Sequence, residues 1–135
     1  MKRAVAFVLA MLLLFAGPAV ADVGVIEQLR LRVPTPHREL WLEAEARSWQ
    51  PWLERQDGFL GRDLYWDPQR QEGVLLIRWS SREQWKSIPD QEVLRVQERF
   101  EAVVNQALDR DVEAPPLFPL LAEGELLVQM LPERR

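Results

Sequence analysis

Residues 58–68 read Gly58-Phe59-Leu60-Gly61-Arg62-Asp63-Leu64-Tyr65-Trp66-Asp67-Pro68, two glycines around an apolar pair ahead of an aromatic-rich run that ends on Asp-Pro. Gly58 suits a turn in which φ is positive, and Gly61 suits a strand that must bend or let another group approach. Phe59 to Asp67 therefore reads as a strand. Asp67-Pro68 opens a turn that lasts to Gly73, and Val74-Leu75-Leu76-Ile77-Arg78-Trp79 reads as the returning strand of a hairpin. Val74 to Ile77 is apolar at every position, which predicts a strand covered on both faces.

Upstream, Val23 to Val33 alternates: Val25, Leu29, Leu31 and Val33 fall on one face, and Gln28, Arg30 and Arg32 on the other. That is a strand with an apolar and a basic side. Pro34-Thr35-Pro36 ends it, with Thr35 predicted as an N-cap and Pro36 as the first helical residue. Leu40, Trp41, Ala44, Ser48 and Trp52 then recur at helical spacing, and Pro51 predicts a break near Trp49.

Downstream, Ser80 or Ser81 precedes Glu83 and Gln84 as a capping signal, and Trp85 and Ile88 mark a short helical segment before Pro89. A long helix is predicted from Asp90 to Leu108, with Val93, Val96, Phe100, Val103, Val104 and Ala107 as its apolar stripe. Asp109 to Gly124 reads as an irregular connection and Glu125 to Leu131 as a last strand, with Pro132 to Arg135 as a frayed end. The order strand, helix, strand, strand, helix, strand is the ferredoxin-like βαββαβ plan of an α+β domain. Its helices cover one face of the sheet, so the other face needs a partner, and two sheets packed face to face give a homodimer, a dimeric α+β barrel.

The first residues stand outside this domain. Lys2 and Arg3 precede an apolar run from Ala4 to Ala16, and Ala19-Val20-Ala21 matches a small-residue cleavage site, so 1–21 is expected to be a signal peptide and 22–135 one domain. The chain is then exported, to a periplasm, a thylakoid lumen or the medium, with no membrane attachment after cleavage. A net charge of −4 argues against a nucleic-acid partner, and with Cys 0 there are no disulfides to staple a small exported domain.

Three stretches carry a resemblance: Gly58-Phe59-Leu60-Gly61, Trp66-Asp67-Pro68, and Ile77-Arg78-Trp79-Ser80-Ser81-Arg82-Glu83-Gln84-Trp85. Over about Val23 to Leu108 the chain resembles the antibiotic biosynthesis monooxygenase group of dimeric α+β barrel proteins, and within it a set of uncharacterised cyanobacterial-type proteins. The resemblance implies a cofactor-independent monooxygenase acting on a small aromatic substrate, or a related protein without catalysis. The group's haem-degrading branch uses an Asn, a Trp and a His. Trp79 looks like the match to that tryptophan, but Gln28 stands near the expected Asn and Pro89 where the histidine would be. The single histidine, His37, lies at the first helix, so no haem or other cofactor is expected.

Catalytic candidates on this reading are Trp79, Tyr65 and Arg78, and ligand-binding candidates are Arg30, Arg62, Trp66 and Trp79. Oxygen would attack an aromatic ring held between Trp79, Trp66 and Tyr65, with Arg30 or Arg78 stabilising an enolate. A charged residue on a covered strand must be paired or must face a ligand, and the competing reading pairs the arginines with Glu27, Asp63 or Asp67 and packs the tryptophans as core. The chain is then a noncatalytic homodimer that is packed or holds a small apolar ligand. No metal-ligand cluster is legible.

Overall fold

The computed structural model describes residues 24–134. The segment read as a signal peptide lies outside the described residues. Four strands, β1 (Val25–Arg32), β2 (Phe59–Asp67), β3 (Glu72–Trp79) and β4 (Leu120–Leu127), form one antiparallel sheet in the order β2-β3-β1-β4. Helices α1 (Arg38–Arg47), α2 (Trp49–Leu53), α3 (Arg82–Lys86) and α4 (Asp90–Ala107) complete the domain. This is the expected α+β, ferredoxin-like arrangement.

The hairpin forms as its sequence predicts. Gly58 and Gly61 adopt φ of 86° and 137°, which a side chain would oppose. Leu60 is an extra residue in the ladder between Phe59 and Gly61, so the strand bulges where the glycines allow it. Asp67 Oδ1 accepts from the backbone N–H groups of Gln69 and Arg70 at 2.9 and 3.0 Å and closes the turn. β3 begins at Glu72, two residues earlier than its apolar run, because the ladder continues through Gly73.

Alternation decides which side chains meet the helices. Val25, Leu29, Leu75, Ile77, Trp79 and Leu64 share the helix-facing side, where Val33, Trp41, Ala44, Leu75, Phe100, Val104 and Phe118 form one core cluster and Val25, Leu53, Ile77 and Trp79 a second. The open face carries Ile26, Gln28, Arg30, Val74, Leu76, Arg78, Asp63 and Tyr65. Within one chain β3 is thus covered on one side only: Leu75 and Ile77 are buried, and Val74 and Leu76 half-buried.

Three local expectations are corrected. Thr35 is not an N-cap: Thr35–His37 is a turn of 3-10 helix, and both Thr35 N–H and its hydroxyl donate to Gln71 Oε1. Val93 and Ala107 of the α4 stripe are exposed, because α4 presses on the sheet and α1 only through its middle, at Val96, Phe100 and Val104. The last strand starts at Leu120, not Glu125, and ends at Leu127. Its early start follows from Phe118, which is 3% exposed and packs edge-on against Phe100 at 6.1 Å, fixing the chain just before β4. The predicted break in the first helical stretch is present: Pro51 has no N–H for the Arg47 carbonyl, and Ser48 leaves the helix at φ −122° and ψ −76°.

Candidate functional site

β1 places one carboxylate on the helix-facing side of the sheet. Glu27 has the same parity as Val25 and Leu29, so it points inward where a hydrocarbon would be expected. Its partner across the ladder is Ile77, and the diagonal neighbour on the same face is Trp79, 1% exposed, whose indole Nε1–H donates to Glu27 Oε1 at 3.1 Å. A buried indole N–H needs an acceptor, and Glu27 supplies it.

Helices α1 and α4 do not extend over β4, all of whose residues are exposed. A cleft of about 230 Å³ is left between β1, β4 and α3, lined by Glu27 and Leu29 from β1, Trp85 and Lys86 from α3, and Glu123, Gly124 and Glu125 from β4. Ser81 sets α3 in position by accepting the Gln84 N–H at its cap. Lys86 Nζ lies 3.9 Å from the centre of the Trp85 ring, an ammonium held on an aromatic face. Glu125 sits directly across the ladder from Glu27, and Arg82 Nε donates to both its oxygens at 3.0 Å, which offsets two like charges placed side by side.

Burial pushes the Glu27 carboxyl above the usual carboxylate range, and Glu123 adds to that, while the Trp79 hydrogen bond and Lys86 pull it back. A desolvated carboxylate facing a cleft is a stronger base than one in water. The cleft holds Glu27, Glu123 and Glu125 against Lys86 and the Arg82 bound to Glu125, so its balance is negative and it disfavours anions.

The candidates drawn from the sequence are divided between two faces. Trp79 lies beneath the cleft and reaches it through Glu27. Trp66 is on the helix-facing side, with its indole donating to Val33 O at 3.0 Å and Arg38 lying 5.2 Å over its ring. Arg62 is also inside: its guanidinium meets Glu45 at 2.6 Å and Gln50 at 2.7 Å, with both ionic side chains 3% exposed. Glu45 is raised by its burial and held down by Arg62 and, more weakly, by the adjacent Trp41, although Trp41 Nε1 falls short of hydrogen-bond geometry with any partner. Tyr65, Arg30 and Arg78 are on the open face, where Arg30 pairs with Glu72 at 3.3 Å and Arg78 with Asp63 at 2.6 Å. No single wall of this chain brings Tyr65 to Trp66 or Trp79. Gln28 likewise points to the open face, and His37 lies half-buried at the end of the 3-10 turn. Of the cleft residues, the sequence reading named Glu27 only as a partner for the strand arginines, which pair instead with Glu72, Glu45 and Asp63, and Trp85 only as a helix residue, and it did not name Lys86. The parity of Glu27 with Val25 and Leu29 was the available signal. Among the described residues no group of three or more metal-ligating side chains is assembled, and no helix is long and apolar enough to cross a membrane.

No protein-family model matches the chain, and no curated protein does. Among solved structures it is similar to the monooxygenase from the gene ActVA-Orf6 of Streptomyces coelicolor, determined with nanaomycin D. The identity is 17% over 86% of this chain and 100% of that one, with a TM-score of 0.50. SnoaB, a cofactor-independent oxygenase from Streptomyces nogalater, is 16% identical over 82% of this chain and 97% of its own, with a TM-score of 0.46. Rv0793 from Mycobacterium tuberculosis is 18% identical over 83% of this chain and 99% of its own, with a TM-score of 0.39. The first likeness shows a shared fold, the ferredoxin-like α+β arrangement.

Proposed function

We propose that the cleft binds a neutral, single-ring phenolic compound and that the chain acts on it as a cofactor-independent monooxygenase, with Glu27 as the base. The observation that carries this reading is the Glu27 carboxylate, held by the Trp79 indole and opening into a small cleft beside the Trp85 ring. Pockets for drug-sized ligands occupy about 300–1,000 Å³, so a cleft of about 230 Å³ suits one ring rather than several. The carboxylates exclude an anionic substrate but let a phenol in, and Glu27 then takes its proton. A phenolate transfers electrons to oxygen more readily than a phenol. Oxygen bonds to the ring, and phenol plus O2 yields quinone plus water, all electrons coming from the substrate.

The chain is further proposed to work as a homodimer whose open faces pack together. Ile26, Val74, Leu76 and Leu126 form an apolar strip there, flanked by the Arg30–Glu72 and Arg78–Asp63 pairs. If the cleft binds without turnover, the same dimer is a noncatalytic ligand carrier. Export after cleavage at Ala21 and kinship with the cyanobacterial-type proteins belong to the same proposal, supported by the 1–21 pattern and by the Gly58–Gly61 and Ile77–Trp85 stretches.

Oxygen uptake with hydroquinone, and binding of phenol followed by tryptophan fluorescence, test the catalytic reading. Uptake is expected to fall at least ~100-fold in Glu27→Gln with phenol binding retained, and Trp85→Ala is expected to weaken binding. Unchanged uptake in Glu27→Gln would remove Glu27 as the base. Binding without uptake in the native chain would leave the carrier reading.

A further inference from the structure

Removing a proton from a phenol in the cleft leaves an oxyanion beside Glu123 and Glu125, where negative charge is already in excess. An oxyanion forms more easily where a donor is already aimed at it. Helix α3 carries two cations, Arg82 and Lys86. Arg82 is engaged, since its Nε donates to both oxygens of Glu125 at 3.0 Å. Lys86 is not: its ammonium rests on the Trp85 ring, 3.9 Å from the centre, and pairs with no carboxylate among the described residues.

Lys86 is the one lysine in the sequence beyond Lys2, and the other strongly basic side chains are arginines. The difference matters at this place. A guanidinium is a flat fork that grips a carboxylate, as Arg82 grips Glu125, whereas a lysine carries a compact charge with three rotatable donors on a flexible stem. Lys86 can therefore turn a hydrogen toward an incoming oxygen. On the facing wall, Trp79 occupies Glu27 Oε1, and Oε2 accepts from no donor among the described residues. Lys86 lies near enough to Glu27 to favour its charged form. An acceptor from β1 and a donor from α3 thus open into the same small volume.

We propose that the Lys86 ammonium donates to the same phenol oxygen whose proton Glu27 Oε2 takes, and that the two groups together select hydroxylated rings. The proposal rests on the reading of the cleft given above. The phenolic O–H bond breaks with its electron pair left on oxygen, the proton moves to Glu27, and an N–H of Lys86 holds the phenolate until the ring gives electrons to O2. A hydroxyl meets both demands, because it donates and accepts at one atom. An aryl ether has no proton for Glu27, and an aryl amine, whose lone pair is drawn into the ring, accepts poorly from Lys86. Rings of equal size are therefore sorted by the group they carry.

Lys86→Met tests this, since it removes the charge and the donors but keeps an unbranched chain beside Trp85. Lys86 is exposed, so the variant is expected to melt like the parent. The probe is para-nitrophenol, whose phenolate absorbs visible light, so that its ionisation in the cleft is read without turnover. In Lys86→Met the bound probe is expected to ionise at a pH higher by about one unit or more than in the native protein, and oxygen uptake with hydroquinone to fall at least ~10-fold. The native protein is expected to bind phenol more tightly than aniline or anisole, and Lys86→Met to lose the preference over aniline. An unshifted probe in the folded variant overturns the role of Lys86, while uptake that still depends on Glu27 keeps the reading of the cleft. A shifted probe with no uptake in the native protein supports the contact of Lys86 with the phenol oxygen and overturns the oxygenase reading alone. A native protein that binds neither phenol nor para-nitrophenol overturns both.

Discussion

Glu27 is a carboxylate on a strand face otherwise occupied by Val25, Leu29 and Leu31, and its position has a cost that depends on pH. Its folded-state pKa lies above the usual carboxylate range because burial penalises the charged form. Such a group favours folding below its unfolded pKa, and that contribution is lost as pH rises through the folded value. Glu27→Gln is therefore expected to raise the melting temperature at pH 7.5 by a few degrees, and to change it much less at pH 4, where the carboxyl is largely protonated whether the chain is folded or not. The amide oxygen still accepts from Trp79. Thermal unfolding at the two pH values measures this, and equal shifts at both would mean that the cost is not one of charge. The residue also shows how a strand is misread by one position. The alternation of Val25, Leu29 and Leu31 was legible and fixes every odd residue as inward, Glu27 among them. Gln28, which stands near the Asn position of the haem-degrading branch, falls on the opposite face, since successive side chains point opposite ways. The same rule separates Tyr65 from Trp66, which a single binding wall would have required to point together.

At the scale of elements, the hairpin and the helix break were readable because each rests on local chemistry: Gly58 and Gly61, Asp67-Pro68, Pro51. The start of β4 was not, because it depends on a distant contact. Phe118 enters the core against Phe100, and Arg32 N–H donates to Pro119 O at 3.0 Å, so residues 108–119 are tied down at their far end and deliver Leu120 to β1. Nothing in the periodicity of the connection announces that Phe118 is core. Phe118→Ala is expected to destabilise the domain by about 3–4 kcal/mol. Hydrogen exchange should then show the β4 amides losing protection before those of β3. Uniform loss across the sheet would mean that β4 does not depend on this anchor.

The whole molecule leaves one face of its sheet to solvent, and the physical case for a partner rests on what that face contains. Val74 and Leu76 continue the apolar run of β3 on a side that no helix among the described residues covers. The ionic groups around them are already matched within the chain, as Arg78–Asp63 and Arg30–Glu72, so a second copy can approach without stranding a charge. A strand with apolar residues on both sides was readable from Val74 to Ile77. What covers its second side was not, because one chain contains only half of the contact. Leu76→Glu places a carboxylate at the middle of that strip. In a face-to-face dimer it is desolvated beside its two-fold mate and is expected to weaken association at least ~100-fold, while the isolated chain, where Leu76 is only half-buried, keeps its fold. Sedimentation and far-ultraviolet circular dichroism on the same sample separate the two effects. A folded monomer places the interface on the open face. A folded dimer of native affinity removes that interface.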